Sequence, residues 1–129
     1  MQALEVQGLS KTYSGFALKE VSFTLPQGMI MGFVGENGAG KTTTMKAMLN
    51  IIRRDSGTVK IFGQDLEQNE RELKEQIGVV FEDSSFYEGM RPLGISRVMG
   101  GIFRGWDPSY FEELLERFQL PNQPLKSYS

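Results

Sequence analysis

Residues 35–42 read GENGAGKT and run directly into two further threonines, Thr43 and Thr44. The stretch fits G-x-x-x-x-G-K-[ST], the pattern of a phosphate-binding loop. Glycines at 35, 38 and 40 let the backbone take positive φ and bring its N–H groups close to a triphosphate, which makes the loop an anion nest. If a helix starts at Lys41, its positive N-terminal end adds to that field. Lys41 then supplies an ammonium for the outer phosphates and Thr42 a hydroxyl for Mg2+. At average composition one such window arises by accident about 4 times in 100,000, or roughly half a per cent over a chain of this length. The bland alternative is a glycine-rich turn whose lysine is merely solvated. The flanks argue against it: residues 29–34, MIMGFV, form the apolar run of a buried parallel strand, and a helical segment follows the loop.

The bulk composition narrows the chemistry. With 129 residues there is room for one modest domain with a real core. Apolar residues make up 40% and the net charge is −2, which fits neither disorder nor nucleic acid as the main partner. The absence of cysteine and histidine excludes disulfides, thiolate metal sites and imidazole catalysis within these residues. Lys, Thr, carboxylates and backbone must carry whatever chemistry there is. No basic-then-apolar leader follows Met1 and no apolar run nears the ~20 residues of a membrane span, so a soluble, cytoplasmic chain is expected.

Working outward from the loop, Leu4, Val6 and Leu9 alternate with polar residues as in a strand, which Gly8 and Ser10-Lys11 are expected to break. Val21, Phe23 and Leu25 alternate likewise up to Pro26-Gln27-Gly28, and the two segments should pair antiparallel through a Tyr13-Ser14-Gly15 connection. After the loop, Met45, Met48, Leu49 and Ile52 give a helix over about 41–52 one apolar face. Residues 53–57 read as a turn and 58–62 as a strand stopped by Gly63. Asn69 is placed to cap a short charged helix through Gln76, ahead of a second buried strand over 77–81. A helix over 93–103 is weakened by Gly94, Gly100 and Gly101, at up to ~1 kcal/mol each. A firmer one starts at Asp107 as N-cap with Pro108 at N1, carries the stripe Phe111, Leu114, Leu115 and Phe118, and stops at Leu120-Pro121. Residues 122–129 close no recognisable element. With only two buried strands, the central sheet reads as unfinished.

Taken together, KTYSGFALKEVSFTLPQGMIMGFVGENGAGKTTTMKAMLNIIRRDSGTVKIFGQD resembles the start of an ABC transporter ATP-binding domain. The likeness rests on an aromatic residue before Walker A, the GENGAGKTTT run, the D-S-G-T-V strand and the I-G-V-V segment ahead of the glutamine loop. Within the family it is most similar to bacterial subunits that drive exporters of antibiotics, peptides or lipids. The resemblance implies an α/β fold: an incomplete P-loop NTPase core with an N-terminal antiparallel β-subdomain and the start of an α-helical subdomain. The parts would be a β leader over 1–28, core over 29–85 and helical portion over 86–129, all one N-terminal part of an ATPase domain. It also implies ATP and Mg2+ as cofactors. Tyr13 would stack on adenine, worth ~1 to 3 kcal/mol by analogy with base stacking on aromatics; a tyrosine that only covers a hairpin edge is the other reading. Gly35, Glu36, Asn37, Gly38, Ala39, Gly40, Lys41, Thr42 and Thr43 would surround the phosphates, with Thr42 also on Mg2+. The implied partners are a transmembrane permease subunit and a second ATP-binding subunit, without nucleic acid, on the inner face of the cell membrane.

Two departures from the family pattern matter. Glu82, followed by Asp83, stands where the family has a glutamine that contacts Mg2+ and the attacking water. A carboxylate can hold the cation but repels the γ-phosphate, so a metal-binding, catalytic Glu82 and a solvated acidic turn both stay open. Complete family members are also nearly twice as long, and their signature motif, Walker B aspartate, catalytic glutamate and switch histidine have no counterpart here beyond the Tyr128-Ser129 pair. The residues in hand are accordingly expected to bind nucleotide without turning it over. The alternatives for the complete protein are a soluble ABC ATPase without membrane subunits and, further off, another phosphate-loop enzyme. Phe86, Tyr87, Met90, Trp106 and Tyr110 fall in the helical portion and read either as its core or as the surface that receives the membrane subunit.

Overall fold

The computed structural model describes residues 1–35, 40–81 and 86–128. The chain divides into two compact units, Met1–Leu73 and Lys74–Ser129.

The first unit is built on an antiparallel sheet. Strand β1 (Gln2–Tyr13) and strand β2 (Phe16–Pro26) form the expected hairpin, with Tyr13 paired to Phe16 across the Ser14-Gly15 turn. Gly8 and Ser10 bend β1 instead of breaking it. Gly8 takes φ 60°, the register shifts between Val6 and Leu9, and hydroxyls replace ladder bonds: Gly8 N–H donates to Ser22 Oγ at 2.9 Å and Glu20 N–H to Ser10 Oγ at 3.0 Å. An irregularity supported this way is a β-bulge.

Helix α1 (Lys41–Met48) packs on β1 and buries Thr44 and Ala47. It is shorter than its apolar spacing predicts, because Asn50 turns the chain at φ 57° and the Arg54 side chain takes over the helix end. Arg54 donates to Ala47 O at 3.3 Å, to Asn50 Oδ1 at 2.5 Å and to Glu67 at 2.7 Å. A buried cation at a helix C-terminus complements the dipole there, and Arg54 adds a second donor to the Ala47 carbonyl, which also accepts from Asn50 N–H at 3.3 Å.

Strand β3 (Ser56–Ile61) pairs with β1, and a two-residue strand β4 (Gln64–Asp65), unforeseen in the sequence, pairs with β3, giving the order β2-β1-β3-β4. The link is a two-residue turn in which both Phe62 (φ 50°) and Gly63 (φ 77°) are left-handed, the geometry of a type I′ hairpin. Asp65 Oδ1 then accepts from the N–H groups of Glu67 and Gln68, and the Asn69 side-chain amide donates to Asp65 O. The following helix α2 (Glu70–Lys74) is shorter than the predicted span ending at Gln76 and buries Leu73. Val6, Leu9, Leu18, Val59, Ile61 and Leu66 form the core of this unit.

The two parallel strands predicted for residues 29–34 and 77–81 are not formed. Neither segment belongs to a strand, and Ile30, Val34 and Val80 are 98%, 94% and 93% exposed. A parallel strand needs hydrogen-bonded neighbours and a cover on each face, and the sheet among the described residues is wholly antiparallel. Phe33 keeps one inward contact, a tilted ring pair with Phe23 at 5.8 Å.

In the second unit, helix α3 (Pro92–Ile102) and helix α4 (Pro108–Arg117) pack together. The glycines of α3 do not interrupt it; a Cβ on Gly100 would lie 3.5 Å from Trp106 Cδ1, an ordinary contact. Trp106 is half-buried, donates to Ser96 Oγ at 2.9 Å and packs on Phe111, whereas Tyr87 and Tyr110 are exposed. Asp107 caps α4 as its sequence predicts, accepting from Tyr110 N–H at 3.0 Å. Residues 122–128 prove to be anchored: Leu93 N–H donates to Asn122 Oδ1, Leu125 N–H to Met90 O and Lys126 N–H to Glu88 O, around a 3-10 turn at Leu125–Ser127.

Gly57 takes φ 102°, and a Cβ there would meet Gly8 O and Leu9 Cα of β1 at 2.6 Å. Gly57→Ala therefore combines left-handed strain with a backbone clash and should cost about 2–4 kcal/mol in urea unfolding. Gly63→Ala, equally left-handed but in open space, should cost only about 1 kcal/mol. Arg54→Ala should cost about 1–3 kcal/mol by the same measurement, since it removes a buried donor set while leaving Glu67, which is largely exposed, solvated.

Candidate functional site

The candidate site lies where the β1–β2 hairpin meets the start of α1. Gly40 is the N-cap of that helix, at φ 92° and ψ 12°, with no side-chain capping bond. The Gly40 carbonyl accepts from Thr44 N–H at 2.8 Å and from Thr44 Oγ1 at 2.7 Å, which closes the first turn and explains why Thr44 is buried. The first-turn N–H groups of a helix have no intrahelical acceptor, and among the described residues the N-cap offers no side chain to take one. That leaves a cluster of donors at the positive end of the helix.

Glycine at position 40 is required twice over. Its φ is left-handed, and a Cβ would sit 2.8 Å from Phe16 Cζ and 3.4 Å from Leu18 Cδ1. The hairpin thus closes directly over the helix start. Lys41 Nζ donates to Gly35 O, tying the first and seventh residues of the GENGAGKT stretch together.

Tyr13 is half exposed at the end of β1. Lys11 Nζ lies 5.2 Å from its ring centroid, and the same ammonium stands 3.7 Å from Asp55 Oδ1. Phe16, the cross-strand partner of Tyr13, is the residue that covers Gly40. Strand pairing and ring packing in this way bring the Tyr13 end of the hairpin to the phosphate-loop helix.

The remaining residues of the sequence-based set are distributed as follows. Gly35 and Thr42 are exposed, Lys41 and Thr43 are partly buried, and Gly40 is buried. Glu36, Asn37, Gly38, Ala39 and Glu82 lie outside the described residues. Phe16 and Asp55 escaped the sequence reading. Phe16 follows a turn signal directly and is the first inward residue of the returning strand, which is the signal that could have found it. Asp55 sits in a turn, and nothing in its local pattern marks a bond to β1.

The open N-terminus of α1 suits a polyphosphate by donor type and charge, and the exposed Thr42 hydroxyl suits an accompanying hard cation such as Mg2+. Among the described residues no group of three or more acidic side chains is placed to hold a metal by itself, and no helix is long and apolar enough to cross a membrane.

Comparison with known proteins bears on the family and the fold. Residues 18–129 match the family described as ABC transporter. The chain is 34% identical over 136 aligned positions to the daunorubicin/doxorubicin resistance ATP-binding protein DrrA of Streptomyces peucetius, covering 99% of this chain and 41% of that one. It is 53% identical over 64 residues to the ribose import ATP-binding protein RbsA of Halalkalibacterium halodurans, covering 49% of this chain and 13% of that one. A solved structure of an ATP-binding subunit of an ABC transporter superposes with a TM-score of 0.81 at 26% identity, covering 98% of this chain and 56% of that one. The chain thus spans well under two thirds of the length of these relatives. The fold is a partial ABC ATPase fold, with the antiparallel sheet and the helices in place. Over most of its residues, and on that shared fold, the chain belongs to the ABC transporter family as an ABC transporter ATP-binding protein.

Proposed function

We propose that the full protein is the ATP-binding subunit of an ABC transporter, coupling ATP binding and hydrolysis to substrate export across the cytoplasmic membrane. The observation that carries this reading is the start of α1 at Gly40-Lys41, where the N-cap has no side chain, roofed by Phe16 and with the Lys41 ammonium folded back on Gly35. Export is favoured by the likeness to a drug-resistance ATP-binding protein along almost the whole chain. Likeness to sugar-import ATP-binding proteins, over 49% of the chain in one and 81% in another, supports import as the second reading.

In this account Gly35, Glu36, Asn37, Gly38, Ala39, Gly40, Lys41, Thr42 and Thr43 surround the triphosphate. The amides at the helix start hold phosphate oxygens, and Lys41 exchanges the Gly35 carbonyl for an outer phosphate. Hydrolysis of its terminal phosphoanhydride bond is mostly positioning and charge stabilisation, which donors fixed in place supply without reorganisation. Mg2+, when bound, would neutralise charge on the outer phosphates from the Thr42 hydroxyl and, in one reading, Glu82. Tyr13 offers its ring to adenine.

The 129 residues act as the N-terminal part of one ATPase domain, with 1–28 as β leader, 29–85 as core and 86–129 as helical portion. By themselves they bind nucleotide without hydrolysing it. The complete subunit works on the inner face of the membrane with a second ATP-binding subunit and a transmembrane permease, which meets exposed aromatics such as Tyr87 and Tyr110 of the helical portion.

Lys41→Ala in the full-length protein should weaken ATP binding, read by displacement of a fluorescent nucleotide, by about 30- to 100-fold, the ~2–3 kcal/mol of a charge-assisted hydrogen bond. Hydrolysis should fall with it. Unchanged affinity and turnover would remove the proposal. ATP-driven accumulation of substrate inside inverted vesicles would mark export, and efflux from them import.

A further inference from the structure

We infer that Asp55 is the positioning residue for the nucleotide base, holding Tyr13 at the working end of β1 although it stands 42 residues away in the chain. The inference rests on the reading of Tyr13 as the adenine platform and adds to it a residue that makes no contact with the nucleotide.

Strand β1 is held on both sides only part of the way along. Its pairing with β3 ends at Ser10 opposite Ser56, whereas its pairing with β2 continues through Thr12 and Tyr13. Lys11, Thr12 and Tyr13 therefore project beyond the end of β3 with one edge unsupported by a strand. Asp55 fills that edge. Its own N–H donates to Ser10 O at 2.8 Å, its Oδ2 accepts from Thr12 N–H at 2.7 Å, and its Oδ1 stands 3.7 Å from Lys11 Nζ. One residue thus engages three consecutive residues of β1, and Tyr13 comes next.

The carboxylate acts in two ways. The bond to Thr12 N–H extends the ladder by one rung and fixes the direction from which the Tyr13 backbone emerges. The ion pair draws the Lys11 ammonium to where it sits 5.2 Å from the Tyr13 ring centroid. A cation on one face of a tyrosine ring is attracted by the ring quadrupole and restrains the ring. In this inference the base stacks on the opposite face. A ring so restrained loses less freedom when the base arrives, so more of the stacking energy appears as affinity.

The signature is an effect that depends on the base and not on the phosphates. In the full-length protein, Asp55→Ala should weaken ATP about fivefold, a fraction of the stacking contribution, while inorganic tripolyphosphate binds within about twofold of wild type. Asp55→Asn keeps an oxygen acceptor for Thr12 N–H and should recover most of the loss. Should Asp55→Ala not fold, Asp55→Glu, which keeps the charge but moves the carboxylate by one methylene, carries the test with a loss of about threefold for ATP alone. Equal losses for ATP and tripolyphosphate, or no loss for ATP, would overturn the inference. Tyr13→Ala separates the two layers. If it lowers ATP affinity while the Asp55 variants do not, only the role of Asp55 fails. If it leaves ATP affinity unchanged, the stacking reading fails and takes this inference with it. If it lowers ATP affinity and Asp55→Ala adds nothing in its background, the two residues act through one ring, as inferred.

Discussion

A left-handed residue without a side chain, packed beneath an aromatic ring, sets the geometry where the hairpin meets the start of α1. Gly40 has to turn the backbone into α1 at φ 92° while Phe16 lies where its Cβ would be. Any other residue would strain the left-handed backbone and force the Phe16 ring to shift. Because the position is glycine, Phe16 closes on the helix start and the N-cap itself puts no side chain in the way of the helix amides. Polar groups left open at the positive end of a helix are what a phosphate chain requires. The elements around Gly40 keep this junction in register. The bulge at Gly8 bends β1, Gly57 lets β3 approach it closely, and Arg54 holds the far end of α1.

The legible parts of the sequence were those where local chemistry and long-range structure agree. Alternation with a glycine turn sufficed for the hairpin, and the Asp107-Pro108 start sufficed for α4, whose cap forms as its side chain dictates. The start of α1 at Lys41 followed from the loop motif. Features that depend on distant partners were not legible. The type I′ turn before β4 uses Phe62 in a left-handed conformation where Asn or Gly is the usual signal, so the short strand behind it was invisible. Gly8 reads locally as a breaker, but hydroxyls from Ser22 and Ser10 turn it into a bulge. Asn122 looks like loop composition until its side chain is seen to accept from α3. Of the site residues, the glycines, Lys41 and Tyr13 announced themselves by motif or resemblance, while Phe16 and Asp55 matter only through contacts that sequence spacing does not reveal.

The segments over 29–34 and 77–81 show how composition and structure can part. Their apolar runs are those of strands buried on both faces, yet Ile30, Val34 and Val80 face solvent. Exposed apolar area costs about 25 cal/mol per Å2 relative to burial, and neither run has a strand partner among the described residues. The relatives to which this chain is similar are substantially longer than it is. The antiparallel sheet, by contrast, satisfies its own ladder and core within residues 1–73, and the Tyr13 end and the helix start are built on it.

The central claim is that the open start of α1 is the seat of a triphosphate. A crystal structure of the full-length protein grown with Mg2+ and a non-hydrolysable ATP analogue tests it most directly. Phosphate oxygens are expected within about 3 Å of the first-turn amides and of Lys41 Nζ, which will have released the Gly35 carbonyl. A nucleotide bound elsewhere, or Lys41 still on Gly35 beside an ordered nucleotide, would contradict it.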